Sequence, residues 1–184
     1  MTFPRRAFLK SGLGLAVGAA ALGSAPLAMA LAQTSVRRLA FDNLHTGEKL
    51  EVAYWQNGSY APDALAEVNH VLRDYRNGEV HPIEPTLLDL LAALSIRLET
   101  APNYSVISGY RSPATNAMLH EQSHQVASGS LHMQGMAIDI RLAGLELAHV
   151  RDAAESLAIG GVGYYPASQF VHVDVGRVRR WAGT

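Results

Sequence analysis

At 184 residues with 48% apolar positions, the chain can build one sizeable core and no more than that. Its 15 basic and 16 acidic residues leave a net charge of −1, which argues against nucleic acid as the main partner. There is no cysteine, so disulfides, a lipid-modified cysteine and thiolate metal sites are excluded, and any metal must be held by histidine and carboxylate.

The first thirty residues read as an export leader. Arg5 and Arg6 form a twin-arginine pair before Phe8, Leu9 and Lys10, and an uncharged apolar stretch runs from Gly12 to Ala30. Ala28-Met29-Ala30 is the small-x-small triplet cut by a signal peptidase, so residues 1–30 are expected to be removed and 31–184 to fold. No stable membrane anchor is expected after cleavage. The glycines of "GLGLAVG" are misspaced for a dinucleotide loop, and no strand precedes them. Loss of Arg5, Arg6 and Lys10 takes the mature net charge to about −4. Twin-arginine export carries folded proteins to the periplasm, which suits a protein that acquires its metal first.

"SVRRLAFDN" (35–43) and "KLEVAYW" (49–55) are β-rich runs around a turn at Gly47 and predict a hairpin. Leu65, Val68, Leu72 and Tyr75 stand at helical spacing from Pro62 to Tyr75. A second helix starts near Glu84, and "YSVISGY" from Tyr104 is a short strand. Ser112 and Pro113 open a third helix as N-cap and first helical residue. Residues 122–131 are small and polar, hence a loop. "MAIDIRL" predicts a strand, "ELAHVRDAAESL" from Glu146 a helix, "GGVGYYP" a glycine-rich turn and "QFVHVDVG" a last strand. The pattern predicts an α+β domain with a mostly antiparallel sheet and helices packed on it.

Asp139 stands between Ile138 and Ile140 in an apolar strand, where an unpaired carboxylate is costly. The two-residue strand period sends Asp139 to the face opposite the isoleucines, and sends His172 and Asp174 opposite Val171, Val173 and Val175. Neighbouring strands would aim Asp139 and His172 into one cleft, and Gly135 would let the preceding loop bring His132 over them. Two imidazoles and one carboxylate suit zinc with a fourth position left for water. Taken singly, His132 reads as a solvated loop residue, and Asp139 can pair with an arginine such as Arg141.

"SGYRS", "HMQGMAID" and "FVHVD" together resemble the signature segments of the zinc peptidases grouped with D-Ala-D-Ala carboxypeptidases, VanX-type dipeptidases and hedgehog domains. The match is closer to the branch of MepK-type murein endopeptidases. It spans the mature chain, through "LAFDNLHTGE", "NHVLRDYR" and "GGVGYYP", and extends to the twin-arginine leader. The resemblance implies a hedgehog/D,D-peptidase-like fold with one zinc per chain, held by His132, Asp139 and His172. It makes Arg111 the residue that steadies a substrate carboxylate or the oxyanion, with a surface salt bridge after a strand as the lesser alternative. Asp174 would orient an imidazole or be a satisfied strand carboxylate. The implied substrate is the peptide cross-bridge of peptidoglycan, in particular the 3-3 link between two diaminopimelates, in a groove open at both sides. Tyr164 and Tyr165 would line it.

One position departs from the wider group. The carboxypeptidase and dipeptidase members carry a glutamate or aspartate, the general base, three residues before the last zinc histidine. Gln169 stands there, and an amide cannot take up a proton. The MepK branch also lacks a carboxylate at this point, which implies a variant mechanism. Asp174, His124 or an unassisted zinc-bound water can fill the role. Two other readings stay open: a D,D-carboxypeptidase, or a non-catalytic, zinc-stabilised wall-binding protein. His70, His81, His120 and His149 read as structural or surface residues, and His45 as a turn residue that lies near substrate at most. Arg177, Arg179 and Arg180 read as a solvated C-terminal tail.

Overall fold

The computed structural model describes Leu31, residues 34–123 and residues 126–183. The leader, its twin arginines and the cleavage site after Ala30 lie outside the described residues, as does His124. Among the described residues no helix is long and apolar enough to cross a membrane.

The predicted hairpin forms from β1 (Val36–Asn43) and β2 (Lys49–Gln56), and β3 (Ser59–Tyr60) extends it. Gly47, at φ 73°, takes the left-handed turn, and the Asn43 carboxamide accepts from the backbone amides of His45 and Thr46. The first helix, α1 (Pro62–Val71), stops four residues before the expected Tyr75. The carbonyl of Leu72 is taken by the backbone amide of Tyr110 at 2.7 Å, and Gly109 packs directly on Leu72, so no further helical turn can form. Asp74 then accepts from the backbone amides of Arg76 and Ser112, tying this loop to the residues beside Arg111.

Helix α2 (Pro85–Arg97) is apolar almost all round, and Leu87, Leu88, Leu91 and Leu94 are fully buried. Each contributes about 1.5–3 kcal/mol by leaving water. Strand β4 (Asn103–Ser108) leads to α3 (Pro113–Gln122), which Ser112 caps by accepting from the Thr115 amide at 3.1 Å. A short 3-10 turn (Leu131–Gln134) precedes β5 (Ala137–Arg141), and α4 (Leu147–Leu157) follows it. The chain closes with β6 (Gly161–Tyr165), β7 (Phe170–Asp174) and β8 (Arg179–Ala182).

These strands form one eight-stranded sheet, ordered β3-β2-β1-β4-β5-β7-β6-β8. The expectation of a mostly antiparallel sheet holds for five of the seven pairings, but the sheet is mixed: β1 pairs with β4, and β6 with β8, in parallel. The parallel pairs arise because two helices separate β1 from β4, and because β8 returns along the free edge of β6. Ile138, Ile140, Val171 and Val173 join α2 and α4 in one core, leaving the opposite face of β5 and β7 for polar chemistry.

Two local expectations fail for one reason. "GGVGYYP" is not a turn but contains β6, and the supposed tail contains β8. Gly161 and Gly163 lower the strand signal, yet they are there because Asp174, Arg179 and Trp181 occupy the space a Cβ would need.

Candidate metal centre and its cleft

Asp139 and His172 lie directly opposite one another in the β5–β7 register, at the middle of the sheet. Continuing sideways, the same row runs from Ser108 on β4 through Asp139, His172 and Gly163 to Trp181 on β8. His132 arrives from the 3-10 turn. Ser130 caps that turn, and Gly135 ends it in the left-handed region at φ 66°. A Cβ on Gly135 would strike the Pro82 carbonyl, and the Gly135 carbonyl accepts from the Glu84 amide at 3.0 Å. Gly135→Ala is therefore expected to cost about 1–3 kcal/mol of strain. A melting-temperature drop of roughly 3–10 °C, accompanied by weaker metal binding, is the measurement that checks it.

The ring orientations are fixed from behind. His132 Nδ1 lies 2.7 Å from the Gly109 carbonyl, which can only accept, so Nδ1 carries the proton and Nε2 presents a lone pair. His172 Nε2 lies 3.1 Å from Asp174 Oδ2 and donates to it, leaving Nδ1 as the free lone pair. These two free nitrogens stand 3.2 Å apart, and Asp139 Oδ1 lies 3.3 Å and 2.9 Å from them. Three lone pairs converging in a buried site require a cation among them, either a proton or a metal ion. The spacings are close to the edge of about 3.3 Å that a tetrahedral site with bonds near 2.0 Å requires. The group His132, Asp139 and His172 can hold a metal ion.

Electrostatics favour the same occupant. Burial pushes the Asp139 carboxyl upward, but the two imidazoles outweigh it and hold the group well below the usual carboxylate range. Burial likewise lowers His132, with Asp139 opposing. For His172 burial also acts downward, yet hydrogen bonds to Asp139 and Asp174 prevail and raise it. The cluster is an anion flanked by basic nitrogens and is poised for positive charge.

Asp174 is fully buried behind His172, and both of its oxygens are engaged. Oδ1 accepts from the amides of Gly161 and Gly176, and Oδ2 from His172 and Arg179. Arg111, not the exposed Arg141, is the arginine beside Asp139, with Nη2 4.0 Å from Oδ2. Its Nη1 reaches Asn116 at 3.4 Å, and its buried Nε has no hydrogen-bond partner among the described residues. Burial lowers its pKa and Asp139 raises it, but a guanidinium stays charged.

A cleft of about 360 Å³ opens over this group. Arg111, Val126, Ser130, Tyr165, Phe170 and Trp181 are among the residues that line it. Tyr165 stacks on Phe170 with ring centroids 4.5 Å apart, and its hydroxyl accepts from the Trp181 indole at 2.8 Å. Tyr164 does not join Tyr165 there: it points to the other face, beneath Arg151. Gln169 also turns away, in left-handed backbone at φ 58° with its amide bonded to the Pro166 carbonyl. It precedes β7 and lines a separate pocket with Tyr164, Arg141 and Leu142 rather than this cleft. Three other histidines lie elsewhere: His45 is exposed and stacked on Tyr75, His70 pairs with Glu48, and His81 stacks on Tyr110. Sequence reasoning missed Arg179 and Trp181, whose only sequence signal was the alternation in "RRWA".

A His-Asp-His group held at the centre of a mixed sheet beneath an open cleft is of the class that could hold a metal ion. The particular family follows from comparison. Residues 31–181 match the family model described as Peptidoglycan L,D-endopeptidase MepK. The chain is 42% identical over 177 residues to the Peptidoglycan L,D-endopeptidase MepK of Escherichia coli strain K12, covering 96% of each chain. It is 41% identical over 180 residues to the "Probable peptidoglycan L,D-endopeptidase MepK" of Haemophilus influenzae, covering 97% of this chain and 96% of the other. No solved structure matches. The chain belongs to the MepK peptidoglycan L,D-endopeptidase family.

Proposed function

We propose that the protein is a zinc-dependent endopeptidase that hydrolyses the peptide cross-links of peptidoglycan during wall remodelling. The observation that carries this reading is the convergence of His132 Nε2, Asp139 Oδ1 and His172 Nδ1 beneath an open cleft, in a chain of this family. These three residues hold one zinc, and two nitrogens with one carboxylate oxygen suit its borderline character. A zinc ion so held supplies Lewis acidity toward a carbonyl oxygen and makes water acidic near neutral pH.

The chain's own groups do the rest. The Gly109 carbonyl and Asp174 hold the imidazoles in the tautomers that face the metal. Asp174 is a positioning residue rather than the general base, since it lies behind His172 with both oxygens in use. Arg111 directs a permanent, poorly partnered charge into the cleft, where it meets either the oxyanion or a carboxylate of the substrate. The aromatic wall of Tyr165, Phe170 and Trp181 gives the aliphatic stems of the peptide a flat surface.

The bond is the 3-3 link between two diaminopimelates. This is supported by the L,D designation of the relatives, because such a link joins an L centre to a D centre. The substrate is extracytoplasmic, and Arg5 and Arg6 direct the folded precursor there by the twin-arginine route. Digestion of purified sacculi tests the reading. Dimers carrying 3-3 links should fall and monomers rise in the presence of zinc, and a chelator should stop the reaction. Shortened pentapeptides with dimers intact would instead show a carboxypeptidase. Retention of murein without any change in muropeptides would show a binding protein.

A further inference from the structure

We propose that Arg179, on the C-terminal strand β8, is a positioning residue of the metal centre and acts through Asp174 on His172. The inference rests on the reading of His132, Asp139 and His172 as a metal site, and not on which bond is cleaved.

The chain of contacts is continuous. Arg179 Nη2 donates to Asp174 Oδ2 at 2.7 Å, and Nη1 donates to Oδ1 at 3.2 Å. Such a two-point fork fixes the rotation of a carboxylate, as one ammonium cannot. Oδ2, so fixed, accepts the His172 Nε2 proton at 3.1 Å, and the opposite nitrogen, Nδ1, is the one that faces the metal site. Arg179 therefore sets the carboxylate that sets the ring that presents the ligand atom.

The fork is itself held in place. The guanidinium lies over the Trp181 ring, 4.9 Å from its centroid, and the Trp181 indole is pinned by the Tyr165 hydroxyl. Trp181 reaches across to His172, with ring centroids 5.1 Å apart. This closeness depends on Gly163, which stands between them in the register and where a Cβ would meet the indole at 2.5 Å. The ion pair also has an electrostatic task. Asp174 is completely buried, and a carboxylate there without Arg179 would leave its charge unbalanced directly behind a ligand.

Partners behind a metal-bound histidine are typically worth about 10–100-fold in metal affinity. The test is zinc affinity of the purified full domain, measured by competition with a chromophoric chelator. It is read together with the nitrogen-15 tautomer spectrum of His172 in the metal-free protein. R179Q should weaken zinc binding by about 10–100-fold and lose the single Nε2–H tautomer of His172. R179K, which keeps the charge but not the fork, should recover only part of the affinity. R180Q, at a neighbour that faces Glu155 instead, should match the wild type. G163A, on the neighbouring β6, pushes on Trp181 of β8 and should shift the His172 signals and weaken zinc binding; unchanged signals and affinity would count against the proposal. Unchanged affinity and an unchanged tautomer in folded R179Q would overturn the proposal. So would full recovery by R179K, or a loss in R180Q equal to that in R179Q. A wild-type protein that binds no zinc would instead remove the metal-site reading itself, which distinguishes the two failures.

Discussion

His172→Ala should give a folded protein that holds less than a tenth of an equivalent of zinc and releases muropeptides at least about 10³-fold more slowly, because Lewis-acid stabilisation supplies several kcal/mol and each 1.36 kcal/mol is tenfold. Folding should survive because the neighbours keep their other partners. Asp174 retains Arg179 and the amides of Gly161 and Gly176, and Asp139 retains His132. Asp139→Asn should behave the same way, since the amide keeps the shape and loses the charge that draws the cation. The pH dependence follows from the raised His172. A proton and a metal ion compete for the same Nδ1, so zinc affinity falls as pH drops through the range in which this imidazole takes up its proton. Metal analysis after gel filtration, followed by sacculus digestion, checks the claim. A zinc-replete, active His172→Ala protein would show that the three residues are not the ligand set.

Much of this site was legible in the residues, because strand alternation is a short-range rule. Ile138-Asp139-Ile140 and Val171-His172-Val173 each state which side chain faces away from the core, and the structure keeps both assignments. The signal for His132 was weaker, since a loop histidine declares nothing alone. Its capture depends on Gly135 packing against Pro82, a contact between segments about fifty residues apart. What the sequence hid was the sheet's far edge. In β6 the glycines at 161 and 163 break up the strand signal of Val162, Tyr164 and Tyr165, and β8 is only four residues long. Both are strands for a tertiary reason: the glycines make room for Asp174, Arg179 and Trp181, and those residues exist to be packed there. The early end of α1 was hidden for the same kind of reason, since Tyr110 claims the Leu72 carbonyl from a distant position in the chain. Gln169 stands three residues before His172 as the sequence reading had it, but it precedes β7 in left-handed backbone and lines a separate pocket with Tyr164.

Arg111→Gln should separate catalysis from structure at this site. The guanidinium is an expensive thing to hold where it is: nearly buried, 4.0 Å from the closest carboxylate oxygen, with a long bond to Asn116 and an unpartnered Nε. A salt bridge selected for stability would be shorter and better satisfied, as Arg37 to Asp89 is at 2.6 Å. A charge kept under-partnered beside a metal group is arranged for an anion that comes and goes. The backbone amide of Arg111 supports the His132 carbonyl at 3.2 Å, and that bond does not depend on the side chain. Zinc content should therefore stay near one equivalent in Arg111→Gln, and the melting temperature should hold or rise, because a poorly partnered, nearly buried charge has gone. Turnover should nonetheless fall about 10²–10³-fold, the usual loss when one oxyanion donor is removed. If Arg111 meets the developing oxyanion, the loss appears in kcat with KM little changed. If it meets a carboxylate of the bound substrate, KM rises first. Arg111→Lys should restore little, since a point charge on a flexible stem cannot reproduce the fork at a desolvated position. A melting temperature and a zinc content that fall in step with activity would assign Arg111 to the architecture of the cleft rather than to the reaction.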